Sequence, residues 1–224
     1  MKTVKYDIID PEIDRIKIKN NMKEQIFVTG IGTDIGKTVC SAILTQYLKA
    51  DYWKPVQSGD LHATDSMRIY DLLQGDVRIH PERYKLQLAA SPHKSALLEN
   101  TSISLEDFKI PETKNNLVIE GAGGLFVPLS DNCYIIDLIQ TLTIPVALVI
   151  KDYLGCINHS LLSINAIKQR NIDLKYLIFN GGIDTDTERV ISLQIPEHTQ
   201  IIHIPQLETV TAEAVRKITD PFNS

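Results

Sequence analysis

The chain has 224 residues, 43% of them hydrophobic, and this size and apolar content fit a single α/β domain with a real core. Its formal net charge of −5, with no basic stripe to offset it, argues against general nucleic-acid binding. Cys40, Cys133 and Cys156 are odd in number and lack CxxC spacing, so a reducing, cytoplasmic setting is expected.

In chain order, residues 1–24 stand apart. They are dense in Lys, Asp and Glu and have no apolar centre, so no secretory signal is expected. They are either a surface extension or an upstream start with Met22 as the functional one, and the domain is expected over 25–224. The first predicted strand, Ile26–Thr29, runs into Gly30-Ile31-Gly32-Thr33-Asp34-Ile35-Gly36-Lys37-Thr38 and then a predicted helix over Thr38–Leu48. Strand, glycine-rich turn and helix form the setting a phosphate-binding loop requires. The turn aims backbone N–H groups inward, and the helix N-terminus adds about half a positive charge. Lys37 reaches β- and γ-phosphates in such a loop, and the Thr38 hydroxyl ligates Mg²⁺. Five residues rather than four separate Gly30 from Gly36.

A second strand is predicted over Tyr52–Val56, with Lys54 at its end before Ser58-Gly59. A lysine there is either an ordinary solvated side chain or a ligand group. Asp65 opens a predicted helix over Ser66–Leu73 and is either its cap or a metal ligand. A short helix over Lys94–Glu99 precedes the strand Asn116–Glu120. Leu117-Val118-Ile119 is continuously apolar, which suits a strand buried on both faces. Glu120 ends it before Gly121-Ala122-Gly123-Gly124, where a carboxylate stands as an outer metal ligand or as a chance polar terminus.

After a helix over Ile135–Thr141 comes the strand Pro145–Ile150. Its apolar run, Ile144–Ile150, falls far short of the roughly 20 residues a membrane span needs. The turn Tyr153-Leu154-Gly155-Cys156-Ile157-Asn158-His159 leads into a helix over Ile157–Arg170, making a second possible anion site. Strand Tyr176–Phe179 ends at Asn180, which either reads an adenine edge or favours a turn. A helix over Thr187–Leu193, a strand over Gln200–His203 and a helix over Thr211–Ile218 complete the pattern. His198 and His203 have a zinc-like separation without a cysteine pair, so they are expected to flank a buried strand. Strands alternating with helices predict right-handed βαβ units around a mostly parallel sheet with helices on both faces, a P-loop NTPase-like α/β fold.

Taken together, Gly30-x₅-Gly36-Lys37-Thr38, Lys54-Pro55-Val56-x-Ser58-Gly59, Ser91-Pro92-His93, Glu120-Gly121-Ala122-Gly123-Gly124, Leu154-Gly155-Cys156-Ile157-Asn158-His159 and Asn180 occur in the order and spacing of dethiobiotin synthetase. The resemblance runs from about Glu24 to the end. Asp34 departs from it, standing where familiar members carry Glu.

The resemblance implies an ATP-dependent ligase that carboxylates and cyclises 7,8-diaminononanoate with CO₂. It implies that Lys37, Lys54, Thr33 and Ser58 serve the chemistry, and that Thr38, Asp65 and Glu120 hold Mg²⁺. Nucleotide contacts would come from Gly32, Thr33, Asp34, Ile35, Gly36, Lys37, Thr38, Val39, Glu120, Asn180, Pro205 and Leu207. Substrate contacts would come from Ser58, Gly123, Leu154, Gly155, Cys156, Ile157 and Asn158, with the last five supplied by the other subunit of a homodimer. No nucleic acid or membrane partner is implied.

Two other readings compete. Partitioning and cell-division ATPases share the architecture but usually carry a second lysine early in the loop, and positions 31–35 hold none. An amide-forming ligase of corrinoid synthesis would need a glutamine-handling domain, for which no residues remain.

Overall fold

The computed structural model describes residues 23–219, so Met22 and most of the N-terminal segment lie outside the described residues. Among the described residues, seven parallel strands form one sheet. They are β1 (Gln25–Gly30), β2 (Ala50–Trp53), β4 (Ile79–His80), β6 (Asn116–Gly124), β9 (Val146–Ile150), β10 (Leu174–Asn180) and β11 (Gln200–Ile204). Their order across the sheet is β11-β10-β9-β1-β6-β2-β4. A continuous apolar strand has no solvent face, and each residue of Val146–Ile150 is 0% exposed. Both faces of the sheet are therefore covered.

The covering elements are α1 (Lys37–Tyr47), α2 (Asp65–Leu72), α3 (Pro92–Leu98), α4 (Ile135–Leu142), α5 (Cys156–Gln169), α6 (Thr185–Ser192) and α7 (Ala212–Thr219). The chain leaves β1 towards β2 and β4 on one side, while β9, β10 and β11 fill the other. The carboxyl end of β1 is thus a topological switch point, where open parallel sheets hold their ligands.

Three departures from the expected elements matter for the site. The strand expected over Tyr52–Val56 is broken. Pro55 has no N–H to donate and Lys54 turns inward, so the chain leaves the main sheet after Trp53. It resumes as β3 (Val56–Ser58), which pairs with β5 (Tyr84–Leu86) in a separate two-stranded sheet. Glu120 does not end its strand: β6 continues to Gly124, and after a register shift Gly124 still pairs with Gly30. A hairpin of β7 (Pro128–Ser130) and β8 (Cys133–Tyr134) and the edge strand β4 had no signal long enough to read.

His203 lies within β11 rather than beside it, stacked on Phe179 and bonded to Glu188, and His198 pairs with Asp173. At the start of the described residues, the Glu24 carbonyl accepts from Leu117 N and its carboxylate from Tyr176.

Candidate active site

The phosphate loop follows directly from β1. Gly36 is the N-cap of α1 with φ 83°, the left-handed region that favours glycine. A Cβ there would also lie 2.1 Å from the Asn180 amide nitrogen. No side chain caps α1 and its first turn holds no acid, so its N–H groups are left for an anion. Lys37 is 8% exposed and donates to the Gly32 carbonyl at 3.0 Å. Among the described residues it forms no salt bridge. Burial lowers its pKa, although the charge of Glu120 works against that shift.

Three further segments bring polar groups to the same place. Glu120 comes from β6 and Lys54 from the break after β2. Asp65 is the first residue of α2. Thr64, not Asp65, caps this helix, accepting from Met67 N at 3.2 Å, which frees the Asp65 carboxylate. Gln57 sets the helix start by accepting from Asp65 N at 3.2 Å while donating to the Gly59 carbonyl at 3.0 Å.

The result is a polar knot. Thr38 Oγ1 lies 3.1 Å from Asp65 Oδ1 and 3.0 Å from Glu120 Oε1. Lys54 Nζ lies 2.5 Å from Asp65 Oδ2 and 3.1 Å from Glu120 Oε1. Lys54 is 5% exposed, so the solvated-lysine reading fails. Burial works to lower its pKa, but Glu120 and Asp65 together outweigh it and the pKa is raised. Burial works to raise the Asp65 pKa, and the Lys54 charge and hydrogen bonds overcome that to lower it.

The Tyr52 phenol, fully buried, donates to Glu120 Oε2 at 2.9 Å. Burial and the Glu120 charge push that phenol well above its ordinary range. Two carboxylates and a hydroxyl, with an ammonium already drawn to them, form a hard-oxygen donor set suited to a small cation whose remaining ligands are phosphates or water.

This knot opens on a cavity of about 680 Å³. Thr33, Asp34, Gly36, Lys37, Thr38, Val39, Lys54, Ser58, Asp65, Glu120 and Gly123 all line it. The Ser58 hydroxyl is buried without a hydrogen-bond partner.

A family model described as an AAA domain matches residues 24–214. A protein from Cytophaga hutchinsonii named ATP-dependent dethiobiotin synthetase BioD is 46% identical over 194 residues, covering 86% of this chain and 93% of that protein. One of the same name from Afipia carboxidovorans is 43% identical over 197 residues, covering 87% of this chain and 93% of that protein. The chain belongs to the dethiobiotin synthetase family. Among solved structures, a ParA family ATPase from Chlorobium tepidum superposes with a TM-score of 0.55 at 14% identity, over 90% of this chain and 99% of that one. At that identity the likeness establishes the P-loop fold alone.

Other residues that the dethiobiotin synthetase resemblance singles out do not line the main cavity. Asn180, at the end of β10, donates from its amide to the Ile35 carbonyl at 2.8 Å and so ties the strand to the phosphate loop. Pro205 and Leu207 follow β11 and do not line the cavity. The turn at 154–158 also stands apart from it. Gly155 is the N-cap of α5 at φ 105°, Cys156 is buried, and the Leu154 side chain is fully exposed. A second hollow of about 470 Å³ runs between this region and the loop, lined by Gly32, Thr33, Asp34, Ile35, Asp152, Tyr153 and His159 among others.

Sequence reasoning missed two groups. One is the Tyr52 phenol, hidden because an aromatic in a strand reads as core. The other is a cluster on the opposite face of β2, the buried Asp51 and His80 closed over by half-buried Thr113 and exposed Asn115. There Asp51 accepts from Asn115 at 2.8 Å and Thr113 at 2.6 Å, and lies 2.9 Å from His80 Nε2. No helix among the described residues is long and apolar enough to cross a membrane.

Proposed function

We propose that this chain carboxylates and cyclises 7,8-diaminononanoate with CO₂ at the cost of ATP, giving dethiobiotin, ADP and phosphate. One amine of the substrate captures CO₂ as a carbamate. A carbamate oxygen then attacks the γ-phosphorus of ATP and ADP departs. The second amine attacks the carbon of the resulting anhydride, phosphate leaves and the ureido ring closes. No covalent enzyme intermediate is needed, so the protein's work is to position reactants and neutralise charge.

The observation that carries this reading is the convergence of Thr38, Lys54, Asp65 and Glu120 beside Lys37 on one cavity. Lys37 and the N–H groups of residues 32–39 hold the phosphates. Lys54 meets the carbamate and the transferring phosphoryl group, and Thr33, Ser58 and Gly123 orient the diamine end. Thr38, Asp65 and Glu120 would hold Mg²⁺, which supplies charge neutralisation on the phosphates when bound. Asn180, Pro205 and Leu207 border the adenine.

The far carboxylate of the substrate is bound by the turn Leu154, Gly155, Cys156, Ile157 and Asn158 of a second copy. Its absence from the cavity lining of its own chain supports a homodimer, as do the exposed apolar side chains of Leu154 and Ile157 in the turn and Leu162 further along α5. Free Cys40, Cys133 and Cys156 support a reducing, cytoplasmic setting.

The test is phosphate release from ATP by purified protein with and without the diamine and bicarbonate, with product mass measured in parallel. Release that needs both, together with dethiobiotin, is expected. Turnover indifferent to the diamine would favour a switch ATPase instead.

A further inference from the structure

Glu120 uses its two carboxylate oxygens differently. Oε1 faces Thr38 Oγ1 at 3.0 Å and Lys54 Nζ at 3.1 Å, on the cavity side. Oε2 is turned away and receives the Tyr52 hydroxyl at 2.9 Å. The sheet explains the reach. Tyr52 pairs in register with Val118, so the two side chains point to the same face, and Glu120, two residues further on, points there as well. A tyrosine ring spans that diagonal and delivers its hydroxyl from within the core, where the residue is wholly buried.

We propose that Tyr52 is a positioning residue for Glu120. Its phenol holds Oε2 so that Oε1 alone is presented to Thr38, Lys54 and an incoming cation. A carboxylate held by one oxygen makes a one-oxygen contact, which suits the near-octahedral demands of Mg²⁺. Without the hydroxyl, a buried carboxylate oxygen would lack its donor, and the side chain would rotate to recover one. Tyr52 is wholly buried, does not line the cavity and acts only through Glu120. The inference rests on the reading of Glu120 as a metal ligand.

The experiment measures Mn²⁺ affinity of the enzyme–ATP complex by electron paramagnetic resonance, and ATP affinity without metal by calorimetry. Tyr52→Phe, Glu120→Gln and the double variant are compared with wild type. Tyr52→Phe is expected to weaken Mn²⁺ binding about 10–100-fold, the scale on which outer partners of metal ligands act. Metal-free ATP affinity should stay unchanged. In the Glu120→Gln background the Tyr52→Phe effect should vanish, because the carboxylate it acts through is gone.

Unchanged Mn²⁺ affinity in Tyr52→Phe beside a clear loss in Glu120→Gln would overturn the positioning role and leave the Glu120 reading standing. Unchanged affinity in Glu120→Gln would remove that reading, and this inference with it. Additive losses in the double variant, or a Tyr52→Phe chain that no longer folds, would make the phenol a structural bond of the core and equally overturn the proposal.

Discussion

Asp51 and Tyr52 are neighbours on β2, yet their side chains enter two polar clusters of different kinds. On one face the Asp51 carboxylate is surrounded by His80, Thr113 and Asn115, all within 2.9 Å. Its neighbours are short, mostly neutral donors that match its lone pairs, and it is closed off from the cavity. On the other face Tyr52 supports Glu120, where two carboxylates share the ammonium of Lys54, Arg68 lies 3.9 Å from Asp65 at the rim, and the arrangement opens on a cavity beside Lys37. The first cluster satisfies itself. The second is neutral only in part and is built around a space. A buried polar cluster is therefore no sign of function until one asks whether its own members already satisfy it.

The sharpest break of this comparison lies within the open cluster. Lys54→Ala leaves Asp65 and Glu120 without the cation they share, with only the more exposed Arg68, 3.9 Å from Asp65, beside them. It should lower turnover about 10²–10³-fold, on the scale of one preorganised donor. It should also cost about 3–5 kcal/mol of stability in urea unfolding, since one partner of a buried ion network is removed. ATP affinity should fall less. Lys37→Ala should reverse this pattern, because that ammonium lacks a salt bridge among the described residues. ATP binding by calorimetry should weaken strongly with turnover, while the unfolding midpoint should hold or rise. Equal effects on stability and binding at both positions would erase the distinction.

Next in size come the acids. Asp65→Asn and Glu120→Gln should each keep the fold, by circular dichroism, and lower turnover about 10²-fold, in line with lost transition-state charge stabilisation. Near-normal turnover in both would remove the metal assignment.

A smaller effect tests where the site ends. Gly155 sits at φ 105°, which proline cannot adopt, so Gly155→Pro should spoil the turn. Mixing that chain with Lys37→Ala should raise activity above either parent, to roughly a quarter of wild type for a two-fold dimer with random exchange. No rescue despite demonstrated exchange would place the whole site in one subunit.

The smallest effect on turnover belongs to the closed cluster. Asp51→Asn should leave activity unchanged and cost about 1–3 kcal/mol of stability at neutral pH, the range for a buried group deprived of its partner. Burial works to raise the Asp51 pKa, but the bonds from Thr113, Asn115 and His80 hold it below its ordinary value of 3.8. A depressed carboxyl contributes stability above the unfolded pKa and loses it as pH falls through the folded one. The gap between wild type and Asp51→Asn should therefore be full above about pH 4 and close in more acidic solution. A gap that persisted at low pH would show that the carboxylate charge is not what the cluster holds.

Much of this was legible in the residues. The loop from Gly30 to Thr38 and the apolar strands around it could be read in order, because glycine conformation, phosphate chemistry and continuous burial leave short local signatures. Asp65 and Lys54 were readable only as alternatives, cap or ligand, solvated or engaged. What decides between them is which side chains stand opposite, and these lie 11 to 66 residues away in the chain. Tyr52 and Asp51 gave no usable signal, since a tyrosine or an aspartate in a strand looks alike whether its tip meets a carboxylate, a histidine or nothing.

The amino-acid sequence by itself determined the fold class, the phosphate loop and the family, since each rests on local spacing or on motifs in order. Only the tertiary structure decided that Lys54 is buried against Asp65 and Glu120, that Thr64 rather than Asp65 caps α2, and that adjacent residues of β2 serve two unrelated clusters. The physical reason is the pleat. It sends neighbours to opposite faces, where each side chain's role is set by partners that strand pairing brings in from distant parts of the chain.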